Sequence, residues 1–258
     1  MFQKAMFDAA WLPRFGTDGF GMTDLQLQAV FGLPCPTRAS PLLISPAYGV
    51  HFLNGPAWLG LPSQVYDAYI DFRWLSQVTP QWGLDLAVTP GYYSDYQQQT
   101  SGALRLTGHV IAAWTWTPTA SLVLGVSYLD RTDVPVLPVC GISWKPNDDA
   151  RFDLVFPQPK IAHRVYWNGV CDPKFQDWVY IGGELAGGTW AVQRFGTLNE
   201  VLNYRDDRVF VGIERKSAQA LSAKLEVGFV FARKIQFDNE GIDFVPTDTL
   251  VLRGELVY

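Results

Sequence analysis

The chain has 258 residues, 48% of them hydrophobic, 14% aromatic and only 17% charged, where a globular protein carries about a quarter. A net charge of −5 with no Lys/Arg stripe excludes nucleic acid as a partner. No apolar run approaches the roughly 18 residues of a spanning helix, so a transmembrane helix is excluded too. Length then permits one large all-β domain, and the composition suits either a membrane barrel or a lectin-like sandwich.

Residues 1–22, with Gly16, Gly19 and Gly21 close together, read as an irregular lead-in before a single barrel domain over 23–258. From Asp24 the pattern alternates: Leu25, Leu27, Ala29 and Phe31 share one side, with Gln26 and Gln28 on the other. The prolines of L-P-C-P-T-R-A-S-P break it, since proline cannot donate to a strand ladder. A less regular strand follows over Leu42–Leu53, with Pro46 as a bulge or edge kink, and Gly55–Pro62 is a loop. Val65–Leu75 is the clearest stretch. Tyr66, Ala68, Ile70, Phe72 and Trp74 line one face, and Asp67, Tyr69, Asp71 and Arg73 the other. Trp82–Pro90 sets Asp85 against Trp82, Leu84, Leu86 and Val88. After a polar loop, Leu104–Trp116 sets Leu104, Leu106, Val110, Ala112, Trp114 and Trp116 against Arg105, Thr107 and His109. This exceeds the common strand of about five or six residues and reaches the roughly 9–11 of a tilted transmembrane strand.

Strands continue over Leu122–Tyr128 and Val136–Trp144, separated by the charged loop Leu129–Pro135. Residues 150–167 and 177–195 are each read as one bent strand, the first interrupted by P-Q-P at 157–159. Tyr204–Arg215 places Val209, Val211 and Ile213 outward, with Arg208, Phe210 and Glu214 inward. Leu221–Phe231 places Lys224 and Glu226 opposite its apolar face. The last stretch, D-T-L-V-L-R-G-E-L-V-Y, sets Leu250, Leu252, Leu256 and Tyr258 against Arg253 and Glu255.

The expected fold is therefore all-β, a single antiparallel up-and-down transmembrane barrel. Its count is about twelve strands, within about ten to fourteen, since single-chain bacterial barrels have even numbers. On a count of twelve the short turns T-P-T-A and K-P-N-D-D fall at the end where long loops are expected. Outward aromatics beside turns form the expected girdle: Trp74, Trp82, Trp114, Trp116, Trp144 and Tyr258. An indole settles at a membrane–water boundary because its ring is oily and its N–H seeks a partner. Facing inward are Asp67, Asp71, Arg73, Asp85, Arg105, His109, Lys224, Glu226, Arg253 and Glu255. Both signs are present, whereas strong ion selectivity calls for rings of one sign. Enclosed charges must pair, so these line either a narrow polar passage or a lumen filled with ion pairs.

The stretch V-L-P-V-C-G-I-S-W-K-P-N-D-D-A-R-F-D-L-V-F-P-Q-P-K-I-A-H-R-V (136–165) resembles a family of uncharacterised outer-membrane β-barrel proteins. W-V-Y-I-G-G-E-L-A-G-G-T-W-A-V (178–192), Y-R-D-D-R-V-F-V-G-I-E (204–214) and the ending L-R-G-E-L-V-Y are similar to it as well. The resemblance runs from about Trp11 onward. It implies an outer-membrane location and a porin-like barrel of unassigned specificity. It also implies membrane lipid and lipopolysaccharide as surroundings, and presentation of the terminal strand ending at Tyr258 to the barrel-assembly machinery. The first expected function is a passive channel for small polar solutes. The second is a closed, salt-bridged barrel whose loops bind a ligand or partner.

No catalytic set is expected. His51, His109 and His163 are the only histidines, and G-x-S-x-G, H-E-x-x-H and the P-loop are absent. The chain is accordingly expected not to be an enzyme and to hold no cofactor or metal. Cys35, Cys140 and Cys171 lie far apart without C-x-x-C spacing, so a zinc site is not expected and the three read as unpaired small residues. The N-terminal M-F-Q-K-A-M-F-D-A-A-W-L has no apolar core and does not read as a signal peptide. An export signal is expected outside the given chain, or at a different start.

Overall fold

A computed structural model describes residues 1–37, 40–97, 102–168, 175–217, 221–238, 241 and 243–258. In chain order the strands are β1 (Phe2–Leu12), β2 (Gly21–Thr37), β3 (Ser40–Asn54), β4 (Gln64–Gln77), β5 (Trp82–Ser94), β6 (Leu104–Thr117) and β7 (Ala120–Tyr128). Then come β8 (Val136–Trp144), β9 (Ala150–Phe156), β10 (Lys160–Asn168), β11 (Phe175–Arg194), β12 (Leu198–Ser217), β13 (Ser222–Phe237), β14 (Asp243–Phe244) and β15 (Thr249–Val257). Sequential neighbours from β1 to β13 pair antiparallel, and β15 joins β13 to β1, which closes the sheet. Fourteen strands form the wall, and the two-residue β14 lies against the end of β13. Closure removes the free sheet edges.

The barrel agrees with the all-β expectation, and two strands separate fourteen from the preferred twelve. Residues 1–22 are no lead-in, because Phe2–Leu12 is a full wall strand paired to both β2 and β15. Residues 150–167 are two strands, β9 and β10, and Q-P at 158–159 lies in their turn. The stretch 177–195 is one strand, as expected.

Adding β1 also reverses the assignment of the two ends. Both termini, T-P-T-A and K-P-N-D-D now share one end, the turn end. Connections 13–20, 55–63, 95–103, 129–135 and 238–248 lie at the other, the loop end. That is the usual division between short turns and long loops in such barrels.

Side chains alternate across the wall. Leu25, Leu27, Ile70, Val88, Val110, Leu124, Val211, Leu225 and Leu252 are exposed on the outside. Buried Val65, Trp178, Tyr180, Phe210, Glu226 and Val251 face in. Among the described residues no helix is long and apolar enough to cross a membrane.

The main hydrophobic core sits inside the barrel at the loop end. Leu12, Met22, Leu53, Val65, Val230, Ile235, Phe237 and Val251 from the wall meet Phe20 and Leu59 from loops and Trp190, Val192, Leu202 and Tyr204 from the ends of β11 and β12. Each large apolar side chain fully withdrawn from water contributes about 1.5–3 kcal/mol. A bulge in β13 supports this arrangement. Arg205 pairs with Lys234 while Asp207 pairs with Phe231, and Ala232 adopts φ +50. The extra residue turns Arg233 inward. There, only 2% exposed, Arg233 donates to Phe20 O at 2.7 Å, Thr247 O at 2.9 Å and Tyr204 Oη at 3.1 Å.

Candidate functional site

The two longest strands, β11 and β12, continue past the wall as a hairpin that turns through residues 195–197. Gly187 makes the departure possible. Its φ is +128, and a Cβ there would lie 2.1 Å from Tyr204 O, so no other residue fits without strain. Beyond it, both faces of the hairpin are buried: Thr189, Trp190, Ala191, Val192, Arg194, Leu202 and Tyr204 are all at most 5% exposed.

The hairpin reaches across to the opposite wall. Ala191 bridges to Ser94 at the end of β5, a strand six places away round the sheet. Three attachments hold it. Asp95 N–H donates to Ala191 O at 3.1 Å, and Gln193 N–H returns a bond to Asp95 Oδ2 at 2.7 Å. Arg194 Nε donates to Leu59 O at 2.9 Å. Trp190 Nε1 donates to Asp67 Oδ1 at 2.6 Å, with its ring 5.2 Å from that of His51.

Beneath and beside the hairpin lies a chamber of about 670 Å³. Asp8, Asp24, His51, Asp67, Glu184, Arg208, Lys224, Arg253 and Glu255 line its body, and Arg105, Leu129, Arg131 and Gln158 line the loop-end side.

Of the residues selected from sequence, all but Arg105, which donates to Asp130 O near the loop end, fall into three groups. On β4–β6, Asp85 accepts from Arg73 Nε at 2.8 Å and Nη2 at 2.5 Å, and lies 3.1 Å from His109 Nε2. Asp71 accepts from Thr89 at 2.7 Å. On β13 and β15, Lys224 pairs with Glu255 at 2.5 Å, and Arg253 bonds Glu226 through Nε and Glu184 through Nη1 at 2.8 Å. Tyr180 Oη donates to Glu226 Oε1 at 2.6 Å. Asp67 joins a third group with His51 Nε2 at 2.9 Å, while His51 Nδ1 lies 2.7 Å from Asp24. His109 is thus no isolated lumen histidine, and His163 is exposed on the outer wall.

All six expected girdle residues lie toward the turn end. Trp82, Trp114, Trp116, Trp144 and Tyr258 are exposed, with Trp82 and Trp114 stacked at 6.2 Å. Trp74 is half-buried, and its Nε1 is buried without a partner. A second aromatic group, missed from sequence, decorates the loop end, where Tyr48, Tyr66, Tyr96 and Tyr92 form a chain of ring contacts.

Cys35 and Cys140 are free and exposed, and Cys171 lies outside the described residues. Among the described residues no cluster of His, Cys, Asp or Glu could hold a metal ion.

A family described as a domain of unknown function, DUF6268, matches residues 59–246, which contain the 136–165 stretch that carried the resemblance. No curated protein matches. Among solved structures, LpxR from Salmonella typhimurium is similar at 10% identity and TM-score 0.48, covering 99% of each chain. A deletion mutant of TodX, a monoaromatic hydrocarbon channel, is similar at 9% identity and TM-score 0.46, covering 98% of this chain and 87% of that one. A mutant Rh. blastica porin is similar at 10% identity and TM-score 0.37 over 99% of each. One expectation is corrected here. With LpxR among the similar structures, the expectation that this chain is not an enzyme is withdrawn.

Proposed function

The chain belongs to the DUF6268 family, a domain of unknown function, and on that premise we propose that it is an outer-membrane barrel closed to free diffusion by its own hairpin, holding small polar solutes in the chamber beneath. The observation that carries this is the β11–β12 hairpin, attached to the far wall at Asp67, Asp95 and Leu59. The apolar outer wall and the aromatic band at the turn end support the membrane setting. The turn end then faces the periplasm and the hairpin closes the outer mouth.

The ion-paired lumen accords with holding a solute rather than passing it. The paired charges around Asp85, Glu255 and Glu184 do not form the single-signed rings of a selective pore.

The test is conductance in planar bilayers. The full chain is compared with a variant in which residues 189–203 are replaced by a two-residue Asn-Gly turn. The full chain should be closed at low voltage, and the shortened one should conduct steadily.

A porin-like passive channel is the second reading, favoured by the chamber's extent from mid-lumen at Asp8 and Glu255 to the loops at Leu129 and Gln158. Steady conductance by the full chain, equal to that of the shortened variant, would select it.

A further inference from the structure

We infer that the loop-end side of the chamber is an oxyanion-binding site built on Arg105 and Arg131, for a small solute carrying a carboxylate or phosphate group. The inference rests on the chamber reading above, and deepens it by naming what the chamber takes.

Several other cations of the lumen have carboxylates against them, while Arg233, in the core under the hairpin, meets Phe20 O, Thr247 O and Tyr204 Oη instead. Arg73 faces Asp85, Lys224 faces Glu255, Arg208 faces Asp206, and Arg253 faces Glu184 and Glu226. Among the described residues, Arg105 and Arg131 make no such pair. Arg105 Nη1 donates to Asp130 O at 2.6 Å, and Arg131 Nη2 donates to Gly187 O at 2.6 Å. Both partners are neutral carbonyls. Arg105 Nε is buried with no partner at all.

The surrounding carboxylates bond other groups, although Asp133 keeps one oxygen, Oδ1, buried without a partner. Asp130 accepts from Leu106 N–H at 3.2 Å and Tyr128 Oη at 3.1 Å. Asp133 Oδ2 takes Arg205 at 3.2 Å, and Asp206 takes Tyr204 and Arg208. Asp238 takes Thr132 and Asn203, each at 2.7 Å.

Arg105 holds the carbonyl of the residue immediately before Arg131, and both arginines line the same chamber. A guanidinium carries five N–H donors in a planar fork, and each of these spends one on a carbonyl. Neither guanidinium is hydrogen-bonded to a carboxylate, and the donors left on each planar fork match a group presenting two oxygens. Tyr93, Thr107 and Gln158 line the same chamber and add neutral polar atoms. Asp8 and Asp24 stand across it on β1 and β2, so the remainder of the solute is neutral or cationic.

The test is calorimetric titration of the refolded full chain in detergent micelles with inorganic phosphate, and separately with succinate, at constant ionic strength. Arg105→Gln and Arg131→Gln are compared with Arg73→Gln, which lies outside the chamber lining. Heat-dependent gel mobility verifies that each variant is folded. Saturable binding of one of the two anions is expected, weakened about tenfold or more by either chamber variant and unchanged by Arg73→Gln. The anion that binds tells phosphate from carboxylate. Absence of saturable binding of both anions to the full chain overturns the site, as does equal weakening by Arg73→Gln. If the Gln variants do not fold, Arg105→Lys keeps the charge and removes the fork, and unaltered affinity there also overturns it. The outcome is separable from the closed-barrel reading. An open pore that binds phosphate defeats closure alone, and a closed barrel that binds neither anion defeats the site alone.

Discussion

Trp190→Phe isolates the attachment of the hairpin. The change leaves a smaller aromatic ring in the core near His51 and deletes the Nε1–H that meets Asp67 Oδ1 at 2.6 Å, together with part of the buried packing of the indole. Asp67 retains its bond to His51 Nε2 at 2.9 Å, so the carboxylate is not stranded. A hydrogen bond to a charged acceptor is worth about 1.5–3 kcal/mol. The ratio of attached to detached hairpin should therefore fall roughly ten- to hundredfold. The backbone bonds through Asp95 and the Arg194 bond to Leu59 remain, so the barrel itself should be unaffected. Recorded in planar bilayers, the variant should show brief openings at least ten times more frequent than the parent, with the same heat-dependent gel shift. Equal opening frequencies in parent and variant would refute the reasoning, because the indole bond would then hold nothing that conduction depends on.

Charge on the outer wall should be penalised by depth. Val110, midway along β6 and exposed outside, should lose about 2–4 kcal/mol as Val110→Arg, whereas Leu106→Arg, three residues from the loop end, should lose only about 0–1; folding into vesicles against urea measures both. Arg253→Ala removes the cation shared by Glu226 and Glu184, leaving Tyr180 and Lys224 on the first and Arg208 on the second, and should cost up to about 3 kcal/mol, read as a lowered temperature for the gel shift. Cys140 is exposed midway along β8 on the outer wall. A charged maleimide should fail to label it in vesicles and succeed after unfolding in SDS, whereas a wall facing water would label in both.

The wall was legible where its two faces differ in chemistry. Val65–Leu75 and Leu104–Trp116 alternate because one side forms the apolar outer face of the barrel and the other meets the ion-paired groups around Asp85. β1 was missed because three of its inward positions, Met6, Ala10 and Leu12, are apolar too, with the charged Asp8 among them; Ala10 and Leu12 join the buried cluster under the hairpin. The same chemistry hid the hairpin. Trp190 and Val192 point one way and Ala191 the other, so both parities are apolar and the period-2 signal vanishes. The available signal was the pair Gly187 and Gly188 ahead of a stretch apolar on both faces, which marks a strand leaving a two-faced wall. Pro157 and Pro159 read as an interruption, yet they flank the glutamine of a tight turn, and the missed turn together with the missed β1 accounts for twelve against fourteen. Pairing partners such as Glu184 for Arg253 lie two or more strands away round the barrel, and no spacing along the chain encodes that.

The central claim is that residue 191 touches residue 94, although β11 and β5 are six strands apart in the wall. The direct measurement is a disulfide between Ser94→Cys and Ala191→Cys, in a chain whose Cys35, Cys140 and Cys171 are replaced by alanine. Two cysteines join only when their Cα atoms are within about 7 Å, which the wall alone cannot provide for these strands. Rapid, near-complete bond formation in the folded barrel, with the parent's brief openings abolished until a reductant restores them, is the predicted result. A folded barrel in which the two cysteines stay reduced under oxidant would contradict the account, since the hairpin would then not lie across the lumen.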